Sequence, residues 1–516
     1  MDVYMLLFVI CIIHGSLYFF DLFLKSCSHY PYLCFLENTG LKIGLFKIHW
    51  YTTVFNNYFH KSVRWKPKFW RRWFSLGVWV TALSLPLAMF LVVRTAFSSI
   101  FHNEHSSASG RLVLEPMIPG VNLPLSDLSY YVTTIVISSI VHEAGHAIAA
   151  VRFHTKLKIH LHLHKEGVPV SGFGMCILVL LPSAYVMLNS NQLEALPPHR
   201  SLRILTAGVW HNIVLSAVAI LAVFLLPWAI SPMFSQEKGL YITDLAENSP
   251  FRGITGLHPG EVITKVNGNC PVRNREDWKN CILDAISEVE VTSGYCISPL
   301  LLYRDTSAVE FDSSDCCSKA DEAGNLCFMI SSNNDAEENE AEDQKLMRKN
   351  ICLPARRVVE DSGIPCKTYF SCPNNSPICA LPLVSNHTSL FIIERESRDK
   401  LMPKSMIFLG HPSEAWFHVK VSEFIPGFHI IPISAAVLPE TILHLLKYLT
   451  VLSLGLALIN VLPLFMFDGQ YIIAAILGYF LESYVSRSVS NKISKYVIVT
   501  GSVTLGACLV IILLNV

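Results

Sequence analysis

Four stretches of the chain run without Asp, Glu, Lys or Arg: Trp73–Val93, Ile204–Ile230, Tyr448–Phe467 and Tyr496–Val516. Each is about 20 residues or more, long enough for a helix to cross the hydrocarbon core of a bilayer. Val3–Phe20 is a shorter fifth run. It lacks a basic leader and a clear small-residue cleavage site, so it reads as a retained anchor and not as a removed signal. Leu128–Val151 and Val168–Asn189 are apolar too, but polar, Gly and Pro residues interrupt them. Val170–Pro182 opens with glycines and is rich in β-formers, so it reads either as strand or as a further helix.

The pattern changes between residues 233 and 435. From Gly239 to Asp284, short apolar runs are broken by Ser249–Pro250 and by the Gly256–Gly268 turns, and the amphipathic run Trp278–Ile282 follows. That order predicts a small β-rich module. The strand-like run Phe417–Phe424 is placed to complete it, and the acidic stretch Asn333–Asp343 is a solvated loop.

Composition agrees with the membrane reading. The 516 residues are 52% hydrophobic and only 16% charged, against roughly 25% charged in soluble proteins. The formal net charge is zero, so nothing points to nucleic acid or to an acidic partner.

Ten of the fifteen cysteines lie between Cys270 and Cys379. An even number packed into a polar stretch predicts disulfides in an oxidising compartment; no paired C-x-x-C spacing favours zinc knuckles instead. The sequons at Asn374 and Asn386 agree with a lumenal, glycosylated segment. With 233–435 in the lumen, the basic loop Arg152, Lys156, Lys158 and Lys165 falls on the cytosolic side. So does Lys61–Arg72, with its six Lys and Arg residues.

The candidate chemistry sits in the interrupted run Leu128–Val151, as His142-Glu143-Ala144-Gly145-His146. Two histidines four apart share one helix face and can bind one metal, and the intervening Glu143 can take a proton from water. Zinc makes hydroxide available near pH 7. The bland reading is an interfacial helix end. Ionisable groups at membrane depth are costly, which favours a functional role. A third ligand is needed, and Asp468 is the one acid between Glu440 and Glu482, in Asn460-Val-Leu-Pro463-Leu-Phe-Met-Phe-Asp468-Gly469. Pro463 and Gly469 can break the helix and turn that carboxylate inward. The histidines His154, His160, His162 and His164 lack an acid or Cys at ligand spacing, so they read as an interfacial segment more readily than as a second metal site.

His-Glu-x-x-His paired with a distant Asn-x-x-Pro-x-x-x-x-Asp-Gly, both in hydrophobic helices, resembles the site-2 protease family of intramembrane metalloproteases. The resemblance runs from about Leu128 to Ile472. It includes a PDZ-like order of elements between the two motifs and the segment Ala207–Asn212. Phe467 departs from the Leu that usually precedes Asp-Gly. The resemblance implies one Zn2+ per chain on His142, His146 and Asp468, with Glu143 as catalytic base. It implies that Asn212 and Asn460 hold substrate backbone or the oxyanion. From the residues alone, an amide in a membrane helix is as well explained by a helix–helix hydrogen bond. It also implies a re-entrant β-structure, with Gly172 and Gly174, that holds an unwound substrate extended.

The expected fold is therefore a polytopic α-helical membrane protein with a lumenal β-rich, PDZ-like module that carries a cysteine-rich insertion. Its parts are N-terminal anchor spans (1–126), a catalytic membrane core (127–232), the lumenal module (233–435, insertion 270–379) and C-terminal helices (436–516). The expected partners are the lipid bilayer and single-pass membrane proteins, and the resemblance implies membrane-tethered transcription factors of the sterol-regulatory element-binding type, cut in the Golgi and endoplasmic reticulum after a first lumenal cut. The active site is expected toward the cytosolic side. A zinc transporter and a non-catalytic relative are the competing readings. A transporter should show paired polar helices lining a path across the whole bilayer, and here the ligands concentrate near one side. Replacing Asn374 or Asn386 by Gln should each remove one glycan and speed migration on a denaturing gel; no shift from either would overturn the lumenal assignment.

Overall fold

The computed structural model describes the chain except residues 1–2, 65, 101–116, 118–122, 153–167, 180, 253–255, 288–293, 299–316, 318–324, 332–348, 363–364, 367–371, 373–377, 384–388, 397–404, 428–431, 482–483 and 515–516. Asn374, Asn386, the His154–His164 cluster and the acidic stretch lie outside the described residues. The chain divides into two compact units, Met1–Leu226 with Leu443–Val516, and Pro227–Ile442.

The first unit is built on long apolar helices: α1 (Val3–Ser26), α2 (Pro67–Ile100), α3 (Leu128–Arg152), α4 (Ala207–Ile230), α5 (Val437–Val461), α6 (Asp468–Leu481) and α7 (Arg487–Leu514). Five of the described helices, α1 to α5, contain stretches long and apolar enough to cross a membrane. The chain is a polytopic helical membrane protein. α3 is the inner one: 56% of its most apolar window is buried, against 17% or less for the other four. Its hydroxyls explain how a helix with so many polar residues is held there. Ser138 Oγ lies 2.7 Å from Ser453 Oγ of α5, and near the start of α3 the hydroxyl of Tyr448 donates to Asp127 at 2.8 Å. Ser216 of α4 donates to the Thr450 carbonyl at 3.0 Å, joining α4 to α5. Such bonds serve as glue between helices that have no hydrophobic driving force to associate in lipid.

The run Val168–Asn189 contains two strands, β3 (Val170–Leu178) and β4 (Leu181–Leu188). They join a hairpin from the N-terminal region, β1 (Leu41–Gly44) and β2 (Lys47–Thr52), in an antiparallel sheet of order β1-β2-β3-β4. The N-terminal anchors therefore also supply half a sheet. The β3–β4 turn is tied down twice: Val179 N–H donates to the Phe46 carbonyl at 3.0 Å, and His14 of α1 donates to the Val179 carbonyl at 2.9 Å. β3 is paired on both sides, which leaves β4, like β1, as an edge strand.

The second unit holds a six-stranded antiparallel sheet ordered Ser405–Gly410, Ser389–Glu396, Val262–Val266, Leu240–Leu245 and Val419–Ser422, with Cys270–Pro271 paired off Val262–Val266. The helix Arg275–Ser287 packs Trp278 into its core beside Leu240, Ile263 and Phe391. Arg395 is buried there but paired with Glu261 at 2.6 Å, which removes most of the cost of a lone buried charge. A second, five-stranded sheet is ordered Lys349–Pro354, Asn325–Ser331, Ile378–Pro382, Gly294–Ile297 and Pro365–Cys366. The cysteine-rich stretch is thus sheet with a core of its own, where the sequence reads as loops. Disulfides Cys296–Cys372, Cys317–Cys352 and Cys366–Cys379 staple it, and Cys270–Cys281 staples the first sheet to its helix. Cys327 is disulfide-bonded as well. Among the described residues the free cysteines are Cys11, Cys27, Cys34, Cys176 and Cys508, all in the first unit.

The Cys296–Cys372 bond closes the longest described loop, 76 residues. Replacing both cysteines by Ala should destabilise the second unit by about 2–5 kcal/mol. Limited proteolysis should detect this as earlier cleavage between residues 296 and 372.

Candidate metal centre

Three side chains from two remote stretches meet beside α3. His142 and His146, one helical turn apart, turn their rings to the same point, with ring centroids 4.9 Å apart. Asp468 Oδ2 stands 2.9 Å from His142 Nε2 and 3.0 Å from His146 Nε2, and the two Nε2 atoms are 3.2 Å apart. Tetrahedral ligands at about 2.0–2.1 Å from zinc sit about 3.3–3.4 Å from one another. The three atoms therefore stand almost at coordination spacing around one point.

The chain break that delivers Asp468 follows from its sequence. Pro463 disfavours helix at the residue before it, and α5 ends at Val461. The backbone then turns tightly, with Met466 at φ 72°. Gly469 is needed because a Cβ there would collide with the Leu462 carbonyl. Ser502 of α7 braces the turn by accepting from Phe465 N–H at 2.9 Å. Asp468 emerges as the first residue of α6, where the helix dipole favours a carboxylate.

The space between the ligands is kept by a glycine. A Cβ on Gly208 of α4 would stand 2.4 Å from both His142 Nε2 and His146 Nε2. Gly145 likewise lets α3 approach the Ala207 carbonyl and His211. The donor set, its spacing and the cradle at Gly208 all fit a small cation bound through two imidazoles and one carboxylate.

Polar groups beside the triad are tied to backbone partners. His146 Nδ1 donates to the Ile204 carbonyl at 2.8 Å, which leaves its Nε2 lone pair free. Glu143, next to His142 on α3, accepts the Val186 N–H at 2.9 Å. One turn earlier, Ser139 Oγ accepts the Ala184 N–H at 2.6 Å. These are alternate N–H groups on the edge of β4 that does not face β3, so α3 holds the sheet by that edge.

The remaining sequence-derived candidates lie as follows. Asn212 is fully buried, with its Nδ2 3.1 Å from His142 Nδ1. Asn460 donates to the Leu456 carbonyl of its own helix at 2.9 Å. Gly172 and Gly174 lie in β3, and a Cβ there would strike the rings of Tyr51 and Tyr185 respectively; they let aromatic side chains lie across the sheet. Sequence reasoning passed over Ser139, Ile204, Val186 and the cradle role of Gly208. Only the last left a trace in the sequence, as a glycine in an otherwise bulky apolar run.

Residues 130–507 match peptidase family M50. A membrane-bound transcription factor site-2 protease homolog of Arabidopsis thaliana is 31% identical over 207 residues, 40% of this chain. The aligned part spans 36% of that relative's own length.

Gly208→Ala favours helix, yet it should lose divalent-metal binding, because the new methyl would stand 2.4 Å from both Nε2 atoms and force the two rings apart. Metal content of the purified variant, by atomic emission against wild type, checks this.

Proposed function

Because the chain belongs to peptidase family M50, whose match takes in both arms of the triad, we propose that it is an intramembrane zinc metalloprotease. The observation that carries this reading is the convergence of His142, His146 and Asp468 within 3.2 Å, with the Glu143 carboxylate on the next residue of the same helix. His142 Nε2, His146 Nε2 and Asp468 Oδ2 would hold one Zn2+. Zinc there supplies a Lewis acid and makes hydroxide available near neutral pH. Glu143 takes the proton of the attacking water and passes it to the leaving amine. The buried surroundings exclude competing solvent and strengthen each electrostatic contact.

A transmembrane helix hides its scissile carbonyls in its own hydrogen bonds, so the substrate must be held extended. The β4 edge supports that role, with Ala184 and Val186 N–H pointing away from β3 toward the triad-bearing helix. A substrate strand adding there takes these two donors from Ser139 and Glu143. Strand capture then also frees the Glu143 carboxylate for its work on water.

The substrates are single-pass membrane proteins. The Arabidopsis relative, a membrane-bound transcription factor site-2 protease homolog, supports membrane-tethered transcription factors among them; the motif resemblance supports the sterol-regulatory element-binding type, cut after a first lumenal cleavage so that the cytosolic part is released. The second unit is lumenal, and its first sheet with the helix Arg275–Ser287 acts as a PDZ-like module that screens substrates by the size of their lumenal part. The partition of cysteines supports this side, since disulfides are confined to that unit and the described free thiols to the other. The active site opens toward the cytosolic side, in Golgi and endoplasmic reticulum membranes. Asn460 and the glycines Gly172 and Gly174 support the substrate-holding elements, α5 and the sheet.

Glu143→Gln should keep zinc and abolish cleavage of a single-pass substrate in detergent, whereas Asp468→Ala should lose both; cleavage retained by Glu143→Gln refutes the hydrolytic reading. Ser139→Ala leaves the Ala184 N–H without its resting partner. It should lower KM about fivefold at unchanged kcat, the net worth of one hydrogen bond of about 1 kcal/mol; steady-state kinetics on the same substrate decide it.

A further inference from the structure

We infer that Asn212 is a positioning residue of the metal site: its side-chain oxygen accepts the Nδ1 proton of His142 and so holds that imidazole in the tautomer that offers Nε2 to zinc. The inference rests on the metal-site reading above and departs from the substrate-binding role that the motif resemblance implies for this asparagine.

A neutral imidazole carries one ring proton, and a ring that binds metal through Nε2 must carry it on Nδ1. A buried Nδ1–H needs an acceptor. For His146 the acceptor is a backbone carbonyl, that of Ile204, which can do nothing but accept. For His142 the group at Nδ1 is the Asn212 amide, 3.1 Å away. Asn212 lies on α4, four residues after the cradle glycine Gly208, and is 0% exposed.

The amide has two orientations of nearly the same shape, and they have opposite consequences. With Nδ2 toward the ring, His142 Nδ1 must accept. Its proton then sits on Nε2 against Asp468, and Asn212 Oδ1 is left buried with no partner among the described residues. An orphaned buried carbonyl oxygen is costly. With the amide reversed, Oδ1 gains the Nδ1–H as its donor, and the Nε2 lone pair points at the place already faced by His146 Nε2 and Asp468 Oδ2. One rotation gives the orphaned oxygen a donor and completes the ligand set, while the amide NH2 turns into the place the oxygen held. The amide orientation and the occupancy of the metal site are thus one coupled equilibrium. Asn212 has no exposed surface, and its contact with the site is to His142.

The experiment uses the full-length chain in detergent, stripped of metal, with zinc affinity measured by competition against a chromogenic chelator. Asn212→Leu keeps the shape and removes the acceptor; it should bind zinc about 10- to 100-fold more weakly than wild type. Asn212→Asp keeps an acceptor and should bind at least as tightly as wild type. Equal affinity of Asn212→Leu and wild type overturns the inference, as does a loss in Asn212→Asp as large as that in Asn212→Leu. If Asn212→Leu does not fold, Asn212→Asp decides alone: wild-type affinity or better supports the inference, and a tenfold loss overturns it. A role confined to substrate contact would raise KM and leave zinc affinity unchanged. Failure of the underlying reading looks different: wild type would bind no zinc, or would bind it as well after Asp468→Ala, and the metal site would fall together with the inference.

Discussion

Two imidazoles and a carboxylate stand within 3.2 Å of one another in a part of the chain built to lie in lipid. Each of these groups alone would be expensive to bury, and together they are tolerable only around a shared positive charge or proton. Most of the surrounding structure serves that convergence. Pro463 and Gly469 break the chain so that Asp468 can turn in. Gly145 and Gly208 let backbones approach so closely that a methyl on Gly208 would fill the centre. Hydroxyl pairs such as Ser138–Ser453 seat the polar helix α3 among its neighbours.

The sheet joins the site through the same helix. Ser139 and Glu143, one turn apart on α3, accept from Ala184 and Val186, two residues apart on β4. The match arises because a helical turn of about 5.4 Å and two strand residues at about 6.6–6.8 Å span similar lengths. Outward N–H groups on an edge strand invite pairing with another chain, and here the helix that carries the proposed chemistry occupies them. The proposed base is therefore also a latch on the strand, which links substrate capture to the freeing of its carboxylate.

Sequence legibility differed sharply among these features. The membrane class, the cysteine cluster and the His-Glu-x-x-His pair rest on local pattern: run length, composition and spacing within one turn. Asp468 was legible because an acid is conspicuous in a long uncharged run. The hairpin β1–β2 was not legible, since Leu41–Gly44 and Lys47–Thr52 are short and half-polar, and the hairpin joins a sheet only where β2 pairs with β3 across more than a hundred residues. The second sheet of the cysteine-rich stretch was hidden for the same reason. Its strands are separated by long polar segments, and its core residues Phe328, Leu353 and Ala380 meet only in three dimensions.

Which residues can do chemistry is readable along the chain, because chemical identity and i, i+4 spacing are local properties. Entry into a membrane is readable there too, because hydrophobic length is additive along a segment. Which backbone groups orient those residues depends on the folded chain. That His146 leans on the Ile204 carbonyl, that Glu143 rests on Val186, that β4 and not β3 offers an edge, and that Asn212 faces His142 are all contacts between distant segments. Backbone N–H and C=O groups are the same at every residue but proline, so no pattern of side chains along the chain can say which of them will meet.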